Sequence, residues 1–370
     1  MSSCRPQELV LSLSVQVGDR ISLRIDSLAF GGDGLGRYEG FVVFVPFTAP
    51  GDTVEVEITE KSARHSRGKV TSILSPASTR TKPLCPYFQR CGGCQYQHLT
   101  YEEELRAKEL QVRDSLVRIA RIPEPPIRPI IGCPQPYGYR NRITVHAEDQ
   151  LIGFRGTDPR EIVDIERCAL ATEEVNQTLE QLRFSHPKPG HYSLRHPGIP
   201  PSAFFQVNHL LLETLRQTVA STFPSGLKEG IDAYCGGGFF TSELVKKFGR
   251  VTGIEKDGRS LKDARRIPAD NLRLVEGDVA LELESILRET DLASAGLLLD
   301  PPREGLPASL VRTLIELRPA ALTYVSCHPP TLARDAQKLI QHYKLISVQP
   351  LDLFPRTGQI ECITTWAAQA

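Results

Sequence analysis

The strongest constraint in this sequence is the alternation that fills its second half. Over residues 200–370, short apolar runs alternate with amphipathic stretches. Gly230–Tyr234, Val251–Glu255, Leu272–Glu276, Gly296–Asp300, Ala321–Ser326, Leu345–Leu351 and Ile360–Trp366 read as strands, and a helix from about Asn208 to Thr222 precedes them. Helices fit between most of these strands. A β-α-β-α chain buries both faces of its strands by laying helices on either side of a mostly parallel sheet. We therefore expect an α/β, Rossmann-like, doubly wound domain over 200–370.

In such sheets a ligand binds beyond the carboxyl ends of the strands. Those ends carry a consistent set of residues here. Asp232-Ala-Tyr-Cys-Gly-Gly-Gly238 follows the first strand, and its glycines let backbone approach a ligand closely. Glu255 ends the second strand, about 20 residues on, where an acid can accept from a ribose diol. Gly277-Asp278 ends the third and can accept from an adenine amino group; Asp300-Pro-Pro-Arg303 ends the fourth. A dinucleotide fingerprint wants a third glycine where Thr241 stands, so pyrophosphate fits poorly. Acidic strand ends suit a cationic, phosphate-free nucleoside such as S-adenosylmethionine. Any one of these residues could merely finish a strand or cap a helix; four in register point to a site.

Cys327 lies in Tyr324-Val-Ser-Cys-His-Pro-Pro, at a strand end on the same sheet edge. Its thiolate would face the cofactor crevice as a nucleophile. A buried strand-end cysteine is the plain alternative. His328 is adjacent, but neighbours on a strand point apart, so no Cys–His dyad is expected. Glu361, in Gln359-Ile-Glu-Cys, can act as general base if it faces the same cleft.

The rest of the chain divides in two. Residues 8–76 read as a small β-barrel of the oligonucleotide-binding kind, with strands at Val17–Ile25, Phe41–Pro46, Thr53–Thr59 and Gly68–Leu74 and a turn at Gly31, Gly32, Asp33, Gly34 and Gly36. Between Lys61 and Lys82 stand Arg64, Arg67, Lys69 and Arg80 and no acid, a stretch that can neutralise phosphates or simply be a solvated loop. Over 77–199, Thr100 and Glu103 suggest a capping box before a helix whose apolar face is Leu105, Val112, Leu116 and Ile119, ended by Pro123, Pro125 and Pro126. Strands are expected at Arg142–Ala147 and Leu151–Gly156, and a connection at Pro187–Pro201.

The 370 residues carry zero net charge, which leaves nucleic acid neither favoured nor excluded. Nine cysteines, an odd number in a long chain, suit a reducing compartment. Cys85, Cys91 and Cys94 cluster, and with a distant Cys168 their spacing admits zinc or an iron–sulfur cluster. No apolar run approaches the roughly 20 residues that cross a bilayer. Met1 to Leu13 lacks the basic start and apolar core of a signal peptide. A cytoplasmic monomer without membrane association is expected.

Phe204-Phe-Gln-Val-Asn208, Asp232-Ala-Tyr-Cys-Gly, Asp300-Pro-Pro-Arg, Ser326-Cys-His-Pro-Pro-Thr-Leu-Ala-Arg-Asp335 and Gln359-Ile-Glu361 occur in order. Together they resemble the signatures of the RNA uracil-C5 methyltransferases, which make 5-methyluridine in tRNA or 23S ribosomal RNA. The resemblance covers nearly the whole chain. It implies a class I methyltransferase domain over 200–370, an N-terminal TRAM barrel over 8–76 that binds RNA, and a small iron–sulfur-containing central domain over 77–199. It implies that Gln206, Tyr234, Glu255, Asp278 and Asp300 line the S-adenosylmethionine and uracil sites, that Cys327 is the nucleophile and that Glu361 removes the C5 proton. It implies a [4Fe-4S] cluster on Cys85, Cys91, Cys94 and Cys168, with a structural or RNA-binding role, because methyl transfer needs no electron transfer. Structured RNA is the expected partner, with 23S ribosomal RNA favoured over tRNA; an inactive RNA-binding protein is the competing reading. The chain departs from the family at Phe239, often a small polar residue such as Asn, and at Gln359, often His.

Overall fold

The computed structural model describes residues 15–198 and 206–369, so Cys4, Phe204 and Phe205 lie outside the described residues. The chain folds as two compact units. One runs up to Lys82 and adds His98–Thr100; the other holds Pro83–Gln97 and everything from Tyr101 onward.

The first unit is a closed five-stranded barrel of β1 (Arg20–Leu28), β2 (Gly34–Tyr38), β3 (Phe41–Val45), β4 (Thr53–Lys61) and β5 (His65–Ser75), in the order β1-β2-β3-β5-β4. Alternation sends Ile21, Leu23, Ile25, Val43, Val45, Val54, Val56 and Ile58 inward as its core. The glycine run is not all turn: Gly34 and Gly36 belong to β2. A Cβ on Gly34 would sit 1.8 Å from Thr48 Oγ1, and one on Gly36 2.3 Å from the Arg24 carbonyl. Close backbone approach, rather than turning, explains these glycines. The basic stretch is also partly committed. Arg67 pairs with Asp33, and Arg80 grips the buried Asp52 through Nε and Nη2 at 2.9 and 2.7 Å. Lys61, Arg64, Lys69 and Lys82 remain exposed.

The second unit holds two sheets. Its smaller one has the order β8-β7-β6-β9, from β6 (Arg142–Glu148), β7 (Leu151–Arg155), β8 (Ile162–Asp164) and β9 (Gly190–Arg195). Two helices accompany it, α1 (Tyr101–Arg118) and α2 (Glu173–Phe184), the latter capped by Thr172. β9 lies inside the stretch expected to be a connection. Its flanking prolines and glycines hide a strand that pairs with β6 along its length. The buried face of α1 is also more polar than its periodicity suggests. Val112 and Leu116 are buried, but so are Glu104, Lys108 and Gln111, while Ile119 is exposed. Lys108 Nζ donates to Glu104 Oε1 at 2.8 Å and to Asp352 Oδ1 at 2.7 Å, and all three side chains are fully buried.

The larger sheet has seven strands: β10 (Glu229–Ala233), β11 (Arg250–Glu255), β12 (Leu272–Glu276), β13 (Ala295–Leu299), β14 (Ala321–Ser326), β15 (Tyr343–Leu351) and β16 (Glu361–Ala368). Their order is β12-β11-β10-β13-β14-β16-β15. The first five are parallel, and β16 runs antiparallel to both β14 and β15. Every residue of β13 and β14 is buried, as strands covered on both faces require. The connecting helices are α3 (Leu212–Ser221), α4 (Thr241–Lys247), α5 (Gly258–Ala264), α6 (Val279–Arg288), α7 (Ala308–Leu317) and α8 (Pro329–Leu339). Strand order reverses between β10 and β13, and a crevice opens at such a switch. No helix among the described residues is long and apolar enough to cross a membrane.

Candidate functional site

A cavity of about 450 Å³ lies at this switch point, lined by Tyr234, Gly236, Glu255, Lys256, Ser260, Asp278, Val279, Asp300 and Pro302. It is large enough for a nucleoside-sized ligand. Each parallel strand delivers one expected residue: Tyr234 follows β10, Glu255 ends β11, Asp278 follows β12 and Asp300 follows β13. Tyr234 adopts a left-handed φ of 68°, and Gly236 one of 53°, so the loop turns tightly over the cavity. Glu255 fixes that loop by accepting from Gly236 N at 3.0 Å. Asp278 caps α6 and pairs with Lys256 at 3.0 Å, a contact that holds its carboxyl below the usual range. Gln206 is not part of this lining; its carbonyl accepts from Asn141 Nδ2 at 3.0 Å.

Two further residues explain the loop. Thr241, where a dinucleotide fingerprint has glycine, donates its hydroxyl to Asp232 Oδ2 at 2.6 Å. Asp232 is fully buried, and burial pushes its carboxyl up to about 6. Phe239 is packed against Phe240, with ring centroids 4.9 Å apart, and under the Arg216 guanidinium. Its side chain belongs to the hydrophobic core and not to the cavity wall.

The residues expected to react, Cys327 and Glu361, lie near Asp300. In the β14–β16 ladder Ser326 pairs with Cys362, so the next position on each strand is Cys327 and Glu361. The antiparallel insertion of β16 therefore carries Glu361 back to the edge that holds the cavity. Burial and then the facing Glu361 raise the Cys327 thiol above its ordinary value; the nearby Arg303 opposes them, and Asp300 adds to the rise. Glu361 is buried, and burial together with Asp300 pushes its carboxyl well up, again against the pull of Arg303. Burial followed by Asp232 raises Asp300 to about 7. Arg303 thus acts on both the Cys327 thiol and the Glu361 carboxyl. It closes a four-residue strand-end motif, where arginine is hard to tell from a solvated terminus, and no role was expected of it. His328 caps α8 by accepting from Thr331 N, which leaves its ring occupied with the helix.

Cys85, Cys91, Cys94 and Cys168 all line a second cavity, of about 60 Å³. Burial raises the Cys91 thiol to about 11 and Cys94 to about 12, and the sulfurs raise one another. No described cysteine is in a disulfide. Arg140 lines the same cavity and opposes the rise at Cys91, Cys94 and Cys168. Among the described residues, no three Cys, His, Asp or Glu side chains are gathered tightly enough to hold a single metal ion.

The barrel and the sheet each match a known family model. Residues 14–71 match the TRAM domain, and residues 280–367 match the tRNA (uracil-5-)-methyltransferase model. An uncharacterized RNA methyltransferase of Bdellovibrio bacteriovorus is 32% identical over 376 residues, covering 94% of this chain and 95% of that protein. The tRNA (uracil(54)-C(5))-methyltransferase of Schizosaccharomyces pombe is 30% identical over 410 residues, covering 93% of this chain and 77% of its own length. This chain belongs to the RNA uracil-C5 methyltransferase family. A solved structure shares the fold of this family member: Pyrococcus abyssi tRNA (uracil-54, C5)-methyltransferase with S-adenosyl-L-homocysteine, at a TM-score of 0.70 and 22% identity, covering 94% of this chain and 100% of that one. The uracil-C5 methyltransferase fold thus accounts for both the closed N-terminal barrel and the seven-stranded sheet.

Proposed function

We propose that this enzyme methylates C5 of a uracil in structured RNA, using Cys327 as a transient covalent nucleophile and Glu361 as the base. The observation that carries this reading is the meeting of Cys327, Glu361, Arg303 and Asp300 beside the switch-point cavity. C5 of uracil is too weakly nucleophilic to take a methyl group unaided. The Cys327 thiolate adds to C6, and the ring double-bond electrons move to O4 as an enolate. Arg303 stabilises the thiolate before this addition. C5, now carbanion-like, is alkylated. Glu361 removes the C5 proton, the C5–C6 double bond re-forms and the C6–S bond breaks, returning the thiolate.

Tyr234, Glu255, Asp278 and Asp300 line a cavity of the right size and sign for a cationic nucleoside, and would hold S-adenosylmethionine. That group supplies the electrophilic methyl. Asp300 faces both the cavity and the reacting pair, so it orients groups on either side. The target base must leave its stack, at about a few kcal/mol, which favours loops and unpaired uracils.

The four cysteines fit a [4Fe-4S] cluster. Their side chains line one cavity together with Arg140, and four thiolates are the donor set that iron–sulfur clusters use. Arg140 would offset the negative charge of such a cluster. 23S ribosomal RNA is the substrate this proposal names. A second reading, transfer RNA, is favoured by the relatives, since both named uracil enzymes act on tRNA uracil 54. RNA from a deletion strain, mapped for the missing 5-methyluridine, decides between them; loss from neither RNA would overturn the proposal.

A further inference from the structure

The segment between β15 and β16 leads directly into Glu361, and it is tied to the cysteine-bearing loop. Gln95, next to Cys94, donates its backbone N–H to the Arg356 carbonyl at 2.9 Å, and Tyr96 donates to the same oxygen at 3.2 Å. In return, Gly358 N donates to the Gln95 side-chain oxygen at 2.8 Å. The Gln95 amide nitrogen then donates to the Gly92 carbonyl, at 2.9 Å, between two of the cysteines. Gln95 therefore bridges the Cys91–Cys94 loop and the turn that precedes the base.

Arg356 sits at the middle of that turn with a left-handed φ of 67°, a conformation an L side chain rarely adopts. It is almost fully buried. Its backbone N–H donates to Glu104 Oε1 at 2.6 Å, and its guanidinium lies 3.3 Å from Glu104 Oε2. Tyr101 and Tyr137 face the same guanidinium through their rings. Glu104 is held in turn by Lys108, which also grips Asp352 and the Phe354 carbonyl. Strained backbone of this kind persists only where its surroundings over-determine it. Here the restraints come from α1 on one side and the cysteine loop on the other.

We propose that Gln95 and Arg356 are positioning residues for Glu361, so that an ordered cysteine loop sets the geometry of C5-proton removal. This inference rests on the role proposed above for Glu361. It gives the cysteine site a mechanical part in the reaction that needs no electron transfer.

The test uses the purified, iron-containing enzyme and uracil-containing substrate RNA. Gln95→Leu removes the acceptor for Gly358 N and no cysteine; Gln95→Glu keeps it. With Gln95→Leu, kcat is expected to fall on the order of tenfold, as small misplacement of a base does, with KM for RNA nearly unchanged. Methylated RNA should accumulate covalently on the protein, because addition and methylation proceed while proton removal lags. Gln95→Glu, which keeps the acceptor for Gly358 N but cannot donate to the Gly92 carbonyl, is expected to recover part of the turnover. A Gln95→Leu enzyme with wild-type iron content and wild-type kcat overturns the proposal, as does one in which adduct formation and turnover fall together. Arg356→Lys, judged by the same adduct-to-turnover ratio, covers the case in which Gln95→Leu loses its iron. If Glu361→Gln itself accumulates no adduct, the role of the base has failed, and the tether is not what was refuted.

Discussion

Cys327 and Glu361 occupy facing positions one step beyond the Ser326–Cys362 pair of the β14–β16 ladder, and Glu361 raises the proton affinity of the Cys327 thiol. The β14–β16 register brings the proposed nucleophile and the proposed base to facing strand ends, and the turn before Glu361 adds its own restraint. This makes the chemistry separable by mutation.

Cys327→Ala is expected to abolish both turnover and the stable adduct formed with 5-fluorouracil-containing RNA. Glu361→Gln should slow turnover by about 10²–10⁴, the usual contribution of a general base, while still forming an adduct. Denaturing gel electrophoresis of labelled RNA reads both. An adduct formed equally by wild type and Cys327→Ala would refute the covalent mechanism.

The rate should rise with pH. Burial lifts both Cys327 and Glu361 above their ordinary values, and both act in their deprotonated forms. Protonation on the acid side therefore removes first one active species and then the other. The acid limb of kcat/KM is expected well above the ordinary carboxylate range of about 4. A profile flat from pH 5 to pH 9 contradicts this.

An anaerobic preparation should be brown and contain iron. Changing any one of Cys85, Cys91, Cys94 and Cys168 to Ser should lower iron content and bleach the visible absorption, while Cys133→Ser should do neither. Stoichiometric zinc without iron would refute the [4Fe-4S] assignment.

Lys108→Met leaves the buried Asp352 without its cation and Glu104 with Arg356 alone. Breaking a buried pair in this way costs about 3–5 kcal/mol. Urea unfolding monitored by tryptophan fluorescence measures it through Trp366, which is itself buried. An unchanged midpoint would show the network to be dispensable.

On the barrel, the exposed and committed cations should behave differently. Replacing Lys61, Arg64 or Lys69 by Ala should reduce the salt dependence of RNA binding, by about one phosphate contact each where contact is made. Arg80→Ala should instead lower stability, because Asp52 loses its buried partner.

Much of this was readable from sequence, for physical reasons. Four of the five parallel strands have apolar runs with acids or glycines at their carboxyl ends, β14 ends in Ser326-Cys327, and those local patterns survive in any context. β2, β8, β9 and α2 are hidden in the sequence: β2 reads as a glycine turn, β8 spans three residues, β9 is flanked by prolines and glycines, and α2 has only three buried residues to mark its inner face. The polar face of α1 could not be seen either, since Lys108 is meaningful only once Asp352 is beside it.

The residue types set the chemistry this chain can perform: a thiol after an apolar strand, acids at successive strand ends, four cysteines in two distant segments. Those are local properties, because each depends on a side chain and its near neighbours. Only the tertiary structure decided which groups share an environment. It turned β16 antiparallel so that Glu361 meets Cys327, brought Arg303 close enough to act on both, and committed Arg67 and Arg80 to carboxylates of their own. Charge and desolvation act through space, and distance through space is what a linear pattern leaves out.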